Sequence, residues 1–179
     1  MKPCRSIKVT QVKTYNIATL PADGIGPEVI EAGVAVLQAL AARDGGFALN
    51  FTAFDWGSAF YRKHGKMMPD DGLEKLRPHD AIFFGAVGAP DVPDHITLWG
   101  LRLPICQGFD QYANVRPTRI LPGISAPLRD RGPGDLDWVI VRENSEGEYA
   151  GHGGRAHRGL PEEVATETAI FTRVGVTRI

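Results

Sequence analysis

Between Tyr15 and Ala53 the chain spells out a strand, a glycine-rich turn, a helix and a second strand, and this succession fixes the class of fold. Tyr15–Leu20 (YNIATL) has the composition of a short strand closed by Pro21. Asp23, Gly24 and Gly26 suit a loop, and Pro27 suits the first position of a helix, where its missing N–H costs nothing. Ile30, Val34, Leu37 and Ala41 then recur at helical spacing until Gly45-Gly46 stops the run. Phe47, Leu49, Phe51 and Ala53 alternate with smaller or polar residues, the period of a strand. Two strands joined through a helix of this length pair in parallel. Helices are expected around Ser58–His64 and Asp70–Arg77. The continuous apolar run Asp80–Val87 (DAIFFGAV) reads as a central parallel strand covered on both faces.

The pattern changes after Gly88. Residues 88–104 are rich in proline and glycine, Gln107–Ala113 could be helical, and Val115–Leu121 and Asp137–Arg142 read as strands. Residues 150–165 show no hydrophobic period and suggest an arm or loop, and Thr172 is placed to cap a helix running to Ile179. These elements divide the chain into a flexible N-terminus over residues 1–14, the N-terminal part of a first α/β domain over 15–110, and the start of a second domain over 111–179. An apolar residue ending the chain within about two turns of a helix start suggests a truncated chain.

Composition excludes several functions. A net charge of −1 leaves no basic footprint for nucleic acid or an anionic membrane. The apolar runs fall well short of a membrane span, and no signal-peptide core follows Met1. Cys4 and Cys106 form no CxxC pair, which points to a reducing, cytoplasmic setting.

Three strings carry chemistry. Pro21-Ala22-Asp23-Gly24-Ile25-Gly26-Pro27-Glu28 is a turn between strand and helix, but Val29 occupies the third glycine position of a dinucleotide fingerprint, so that motif is not met. By itself the turn requires only that glycines permit a tight bend. Phe84-Gly85-Ala86-Val87-Gly88 lies where ligands gather in open α/β sheets, at a strand's carboxyl end. The third constellation is Asn114-Val115-Arg116-Pro117 with Val141-Arg142-Glu143-Asn144-Ser145-Glu146-Gly147-Glu148-Tyr149. Two arginines with a tyrosine suit a ligand bearing two carboxylates, because each guanidinium offers a planar fork of donors. Spacing alone favours surface arginines in salt bridges.

Together these strings resemble the N-terminal half of the decarboxylating dehydrogenases of the isocitrate, isopropylmalate and tartrate/malate family. Phe54-Asp55-Trp56, His64-Gly65-Lys66-Met67-Met68-Pro69-Asp70-Asp71 and Val92-Pro93-Asp94-His95-Ile96 look most like its tartrate/D-malate branch. The resemblance implies an isopropylmalate dehydrogenase-like α/β fold, a parallel-sheet layer with the start of a second domain. It also implies oxidation of a 2-hydroxy dicarboxylate by NAD, with or without decarboxylation, tartrate or D-malate before isopropylmalate or isocitrate. The cofactor would lie against Gly24 and Ile25, Arg116 and Arg142 would hold the substrate carboxylates, and Tyr149 would help protonate the enolate. A homodimer is implied, with the glycine-rich segment after Tyr149 clasping the partner. The lysine base and the aspartates for Mg2+ or Mn2+ are expected beyond residue 179, so the chain alone is expected to be inactive. A non-catalytic chain that keeps only the fold is the alternative.

Two positions depart from the family: Ala22 stands in for the first glycine of its opening turn, and the other lies among the substrate arginines. Ten residues before Arg116, where a further substrate arginine is expected, stands Cys106, and Arg102 four residues earlier is the candidate replacement. No positioned histidine marks Cys106 as a nucleophile, and His152 and His157 lack the spacing of metal ligands.

Overall fold

The structure is a computed structural model and describes residues 12–179. Cys4 and the first eleven residues of the expected flexible terminus lie outside the described residues. The chain forms two compact units that meet in sequence between Arg102 and Leu103, earlier than the division at 110 expected above.

The first unit is the α/β layer. Strand β1 (Lys13–Ala22) starts two residues inside the stretch assigned to the polar terminus, because Lys13 and Thr14 pair with Phe47 and Ala48. Helix α1 (Gly26–Asp44) has Pro27 in its first turn, and Gly45 closes it in the left-handed region with φ 71°, donating its N–H to Ala41. Strand β2 (Phe47–Ala53) and helices α2 (Ser58–His64) and α3 (Gly72–Leu76) follow. Strand β3 (Ala81–Ala86) completes a parallel sheet of order β2-β1-β3.

The central strand is therefore β1, whose Ala18, Thr19 and Leu20 are buried. The apolar run of β3, expected at the centre, occupies an edge of this sheet, and its residues are half-buried with Ala81 exposed. Apolar composition reports what a strand can tolerate, and the order of pairing depends on the crossover that the composition does not encode. Ile30 of α1 with Trp56, Met67, Leu76, Val92 and Leu101 supplies the rest of this unit's buried apolar side chains. A short helix α4 (Asp94–Thr97) and a π-helical turn (Leu98–Arg102) end the unit.

The loops at the carboxyl ends of β1 and β3 are held together by one side chain. Asp23 is buried, and its carboxylate accepts hydrogen bonds from the Ser58 N–H (2.7 Å), the Ser58 hydroxyl (2.7 Å) and the Gly88 N–H (3.0 Å). Its own N–H donates to the Ala86 carbonyl at 2.7 Å. Beside it the backbones approach so closely that a Cβ on Gly26 or Gly85 would overlap the Pro21 carbonyl oxygen, which explains glycine at both.

The second unit opens with α5 (Leu103–Gly108), which lies earlier than the helix expected over 107–113 and leaves Ala113 free to begin a strand. Pro104 reads as a helix breaker but stands in the first turn, where no intrahelical N–H is required. Strands β4 (Ala113–Arg119) and β5 (Asp137–Glu143) pair antiparallel, as do β6 (Gly147–Ala156) and β7 (Val164–Ile170). The arm over 150–165 is thus two-stranded, and β7 is exposed along its whole length. Helix α6 (Arg173–Arg178) begins at Thr172, whose hydroxyl accepts from the Gly175 N–H at 3.0 Å.

Removing the Asp23 carboxylate strands three donors, two of them on the buried Ser58. Hydrogen bonds to a charged acceptor contribute about 1.5–3 kcal/mol each, and the stranded donors add a desolvation penalty. Asp23→Ala is expected to lower unfolding free energy by about 3 kcal/mol or more in urea titrations, with Asp23→Asn losing roughly half as much because it keeps one acceptor oxygen. A loss below about 1 kcal/mol for Asp23→Ala would contradict the role given to this residue.

Candidate functional site

The register of β4 with β5 decides which side chains share a face. Asn114 lies opposite Arg142, Arg116 opposite Ile140 and Thr118 opposite Trp138. Side chains alternate along a strand, so Asn114, Arg116, Ile140 and Arg142 all project from one face. Arg116 and Arg142 are diagonal neighbours on it, a spacing of roughly 7–8 Å at the strand that long side chains readily bridge. The Arg142 guanidinium lies over the Tyr149 ring, 5.1 Å from its centroid. Tyr149 is fixed through its carbonyl, which accepts from the Gln107 side-chain amide at 2.8 Å. Arg116, Arg142 and Tyr149, singled out in the sequence, are thus gathered within the second unit.

Neither arginine is neutralised locally. Among the described residues no carboxylate stands within ion-pair distance of Arg116 or Arg142. Arg116 Nε donates to Asn114 Oδ1 at 2.9 Å, which aims the guanidinium along the face, and Arg142 Nε is buried without a hydrogen-bond partner. The acid next in sequence, Glu143, projects from the opposite face and is occupied otherwise. Its Oε1 accepts from the N–H groups of Asn144 (3.1 Å), Ser145 (2.9 Å) and Glu146 (3.1 Å) and from the Ser145 hydroxyl (2.8 Å). Burial pushes the Glu143 carboxyl up, but the hydrogen bonds from Ser145, Glu146 and Asn144 together outweigh it and bring it down to about 2. The result is a face carrying two positive charges with no counter-charge among the described residues, suited to a ligand with two carboxylates.

The sequence reading overlooked the residues that hold this face in shape. Asn144 donates its N–H to the Tyr112 carbonyl (2.7 Å) and its side-chain amide to the Gln111 carbonyl (2.9 Å), while its Oδ1 accepts from Asn114 at 3.4 Å. The signal was present in the asparagines of those same strings, Asn114 in β4 and Asn144 just after β5. Arg178 left no such signal, since nothing in the last helix distinguishes it from a surface arginine.

In the first unit Gly24 has φ 57°, and a Cβ added there would meet no atom within 4 Å, so the turn leaves open space above it. Ile25 precedes α1 and is 62% exposed, an apolar side chain left bare at the carboxyl end of β1. Arg102 ends the π-helical turn of this unit and is partly buried. Cys106 belongs to α5 in the second unit, where its free thiol is buried. Among the described residues no group of three or more His, Cys, Asp or Glu side chains could hold a metal ion, and no helix is long and apolar enough to cross a membrane.

Comparison with known proteins bears on the family and the fold. Residues 16–179 match the model of the isocitrate/isopropylmalate dehydrogenase family. The chain belongs to that family. It is 78% identical over 168 residues to a protein of Agrobacterium vitis described as a probable tartrate dehydrogenase/decarboxylase, covering 94% of this chain and 47% of that one. It is 54% identical over 170 residues to the decarboxylating D-malate dehydrogenase of Escherichia coli, with the same 94% and 47% coverage. Among solved structures, isocitrate dehydrogenase from Methylococcus capsulatus superimposes with a TM-score of 0.73 at 30% identity, over 92% of this chain and 44% of that chain. The chain spans about half the length of the curated relatives it matches.

Glu143 supplies a pH test. Its folded value of about 2 lies below its ordinary value of 4.5, so its stabilisation is complete above about pH 4.5 and lost as pH falls through about 2. The difference in unfolding midpoint between the wild type and Glu143→Gln should be largest above pH 5 and shrink towards pH 2. A pH-independent difference would show that the carboxylate's charge contributes nothing.

Proposed function

We propose that this chain supplies the carboxylate-binding face of a decarboxylating dehydrogenase that oxidises a 2-hydroxy dicarboxylate with NAD, acting as part of a longer protein. The observation that carries the reading is the pair Arg116 and Arg142 on one face of β4–β5 with no acidic partner among the described residues. Two guanidinium forks at diagonal spacing accept two carboxylates, and a charge-assisted contact of this kind contributes about 1.5–3 kcal/mol. Tartrate and D-malate are the favoured substrates, because the relatives at 78% and 54% identity bear the names of enzymes acting on them.

Tyr149 stands beside Arg142, where its hydroxyl would serve as the proton donor to a carbanionic product. Arg102 is offered as a third carboxylate-binding arginine on family resemblance, in place of the one absent at position 106. NAD would rest against the open turn at Gly24 and the bare apolar surface of Ile25. NAD supplies the hydride acceptor, and the residues of this turn only orient it. A divalent ion such as Mg2+ or Mn2+ would polarise the keto oxygen of the intermediate. The described residues do not provide its ligand set, so that chemistry needs groups from elsewhere.

We further propose that the β6–β7 arm clasps a second copy of the protein. A two-stranded ribbon is marginal alone, and the exposed Val164, Ile170 and Leu160 give this one apolar surface to bury.

Arg142→Ala is expected to weaken D-malate or tartrate binding to the chain at least tenfold by calorimetry, with Arg116→Ala comparable and Arg119→Ala, whose partner is Asp137, without effect. Equal affinities for all three variants would dismiss the proposed face. Replacing residues 152–166 with a short glycine linker should shift the sedimentation coefficient from that of a dimer to that of a monomer. A wild-type chain that sediments as a monomer at high micromolar concentration would count against the clasp.

A further inference from the structure

Arg178, the last residue of α6, reaches back across the second unit to both strand ends that bear the arginine face. Its Nη1 donates to Asp110 Oδ1 at 2.8 Å and its Nη2 to Ser145 Oγ at 2.7 Å, while Glu143 Oε1 lies 3.6 Å away. The guanidinium also stacks on Tyr112, 4.5 Å from the ring centroid. Asp110 and Tyr112 precede β4, and Glu143 and Ser145 end and follow β5. One side chain, only 20% exposed, therefore touches both segments.

We propose that Arg178 is a positioning residue that keeps Arg142 free for a ligand by holding the Glu143–Glu146 turn closed around the Glu143 carboxylate.

Arg142 and Glu143 are consecutive and project from opposite faces of β5, so Glu143 stays away from Arg142 as long as the end of the strand keeps its course. What holds Glu143 is the turn itself, through three N–H groups and the Ser145 hydroxyl. That hydroxyl has one proton, and it points to Glu143, so its oxygen must accept from another donor; Arg178 Nη2 is that donor. The relay continues from the turn to the other arginine. Asn144 Oδ1 accepts from Asn114, whose Oδ1 accepts from Arg116 Nε. The docking of α6 that delivers Arg178 is itself specified. Glu146 Oε2 accepts from the Thr172 N–H at 2.9 Å and Oε1 from its hydroxyl at 2.6 Å, and a Cβ on Gly175 would overlap the Glu146 carboxylate in this position. Lysine cannot replace this arginine, since an ammonium does not span Asp110 and Ser145 while stacking on Tyr112.

The positioning role rests on the reading of Arg116, Arg142 and Tyr149 as ligand-facing, and the test separates the two. In the 179-residue chain, the Nε–H signals of Arg116 and Arg142 and the ring signals of Tyr149 are followed by NMR in wild type, Arg178→Ala and Arg178→Lys. Both variants are expected to displace the Arg142 and Tyr149 signals, Arg178→Ala the more. Guanidinium chloride at tens of millimolar should return the Arg178→Ala spectrum towards wild type, which a general loss of packing would not allow. Should Arg178→Ala fail to fold, Arg178→Lys carries the test through the same signals. Arg142 and Tyr149 signals that stay at their wild-type positions in the folded variants overturn the proposal. D-malate is then titrated into the wild type. If the arginine signals ignore D-malate yet move in Arg178→Lys, the dicarboxylate reading fails and the positioning role stands.

Discussion

The first unit depends on a buried carboxylate that is satisfied entirely by nearby N–H and O–H donors. Asp23 follows β1 directly, where three segments converge, and its oxygens take hydrogen bonds from the first residue of α2 and from the loop after β3. Burying a carboxylate is costly unless donors surround it, so the contact specifies one arrangement of these segments and penalises the others. The close backbone approach at Gly26 and Gly85 is possible only in that arrangement. The open turn at Gly24 and the exposed Ile25 are consequences of it, because the chain must leave β1 by this route to begin α1.

The second unit uses the same physics to a different end. Glu143 is wrapped by the N–H groups that follow it, and its neighbour Arg142 keeps its charge. Glu146 is consumed in the same way by Thr172, whose hydroxyl first and N–H second hold its carboxyl below the usual range. Acids that could have cancelled the arginines are thus each committed to a local turn or helix start. The positive character of the face arises from this placement, since the chain as a whole carries a net charge of only −1.

Periodicity made the strand–helix–strand of residues 15–53 legible because Ile30, Val34, Leu37 and Ala41 recur on one helix face and are buried or half-buried there, although Val29, Val36 and Leu40 are exposed. It failed for β3, whose apolar run was compatible with a central strand, while pairing order placed it at an edge. It failed also for β6 and β7, since strands without a buried face have no alternation to detect. The site was legible for another reason. Arg116, Arg142 and Tyr149 stand in strings that resemble a family, and the strand register then placed the two arginines on one face. Arg178 was illegible because its meaning lies in contacts with residues such as Asp110, far away in the chain.

The diagonal offset of Arg116 and Arg142 across β4 and β5 carries a stereochemical consequence. A diagonal drawn across two strands of L-residues, whose twist has a fixed hand, cannot be superimposed on its mirror image. Tyr149, arriving from β6 against only one of the two arginines, adds a third point that breaks the remaining symmetry between them. Were these three side chains to hold a ligand as proposed, the frame would read handedness. A hydroxyl-bearing carbon flanked by two unequal carboxylate arms could present all three groups in one enantiomer, and its mirror image would have to give one up.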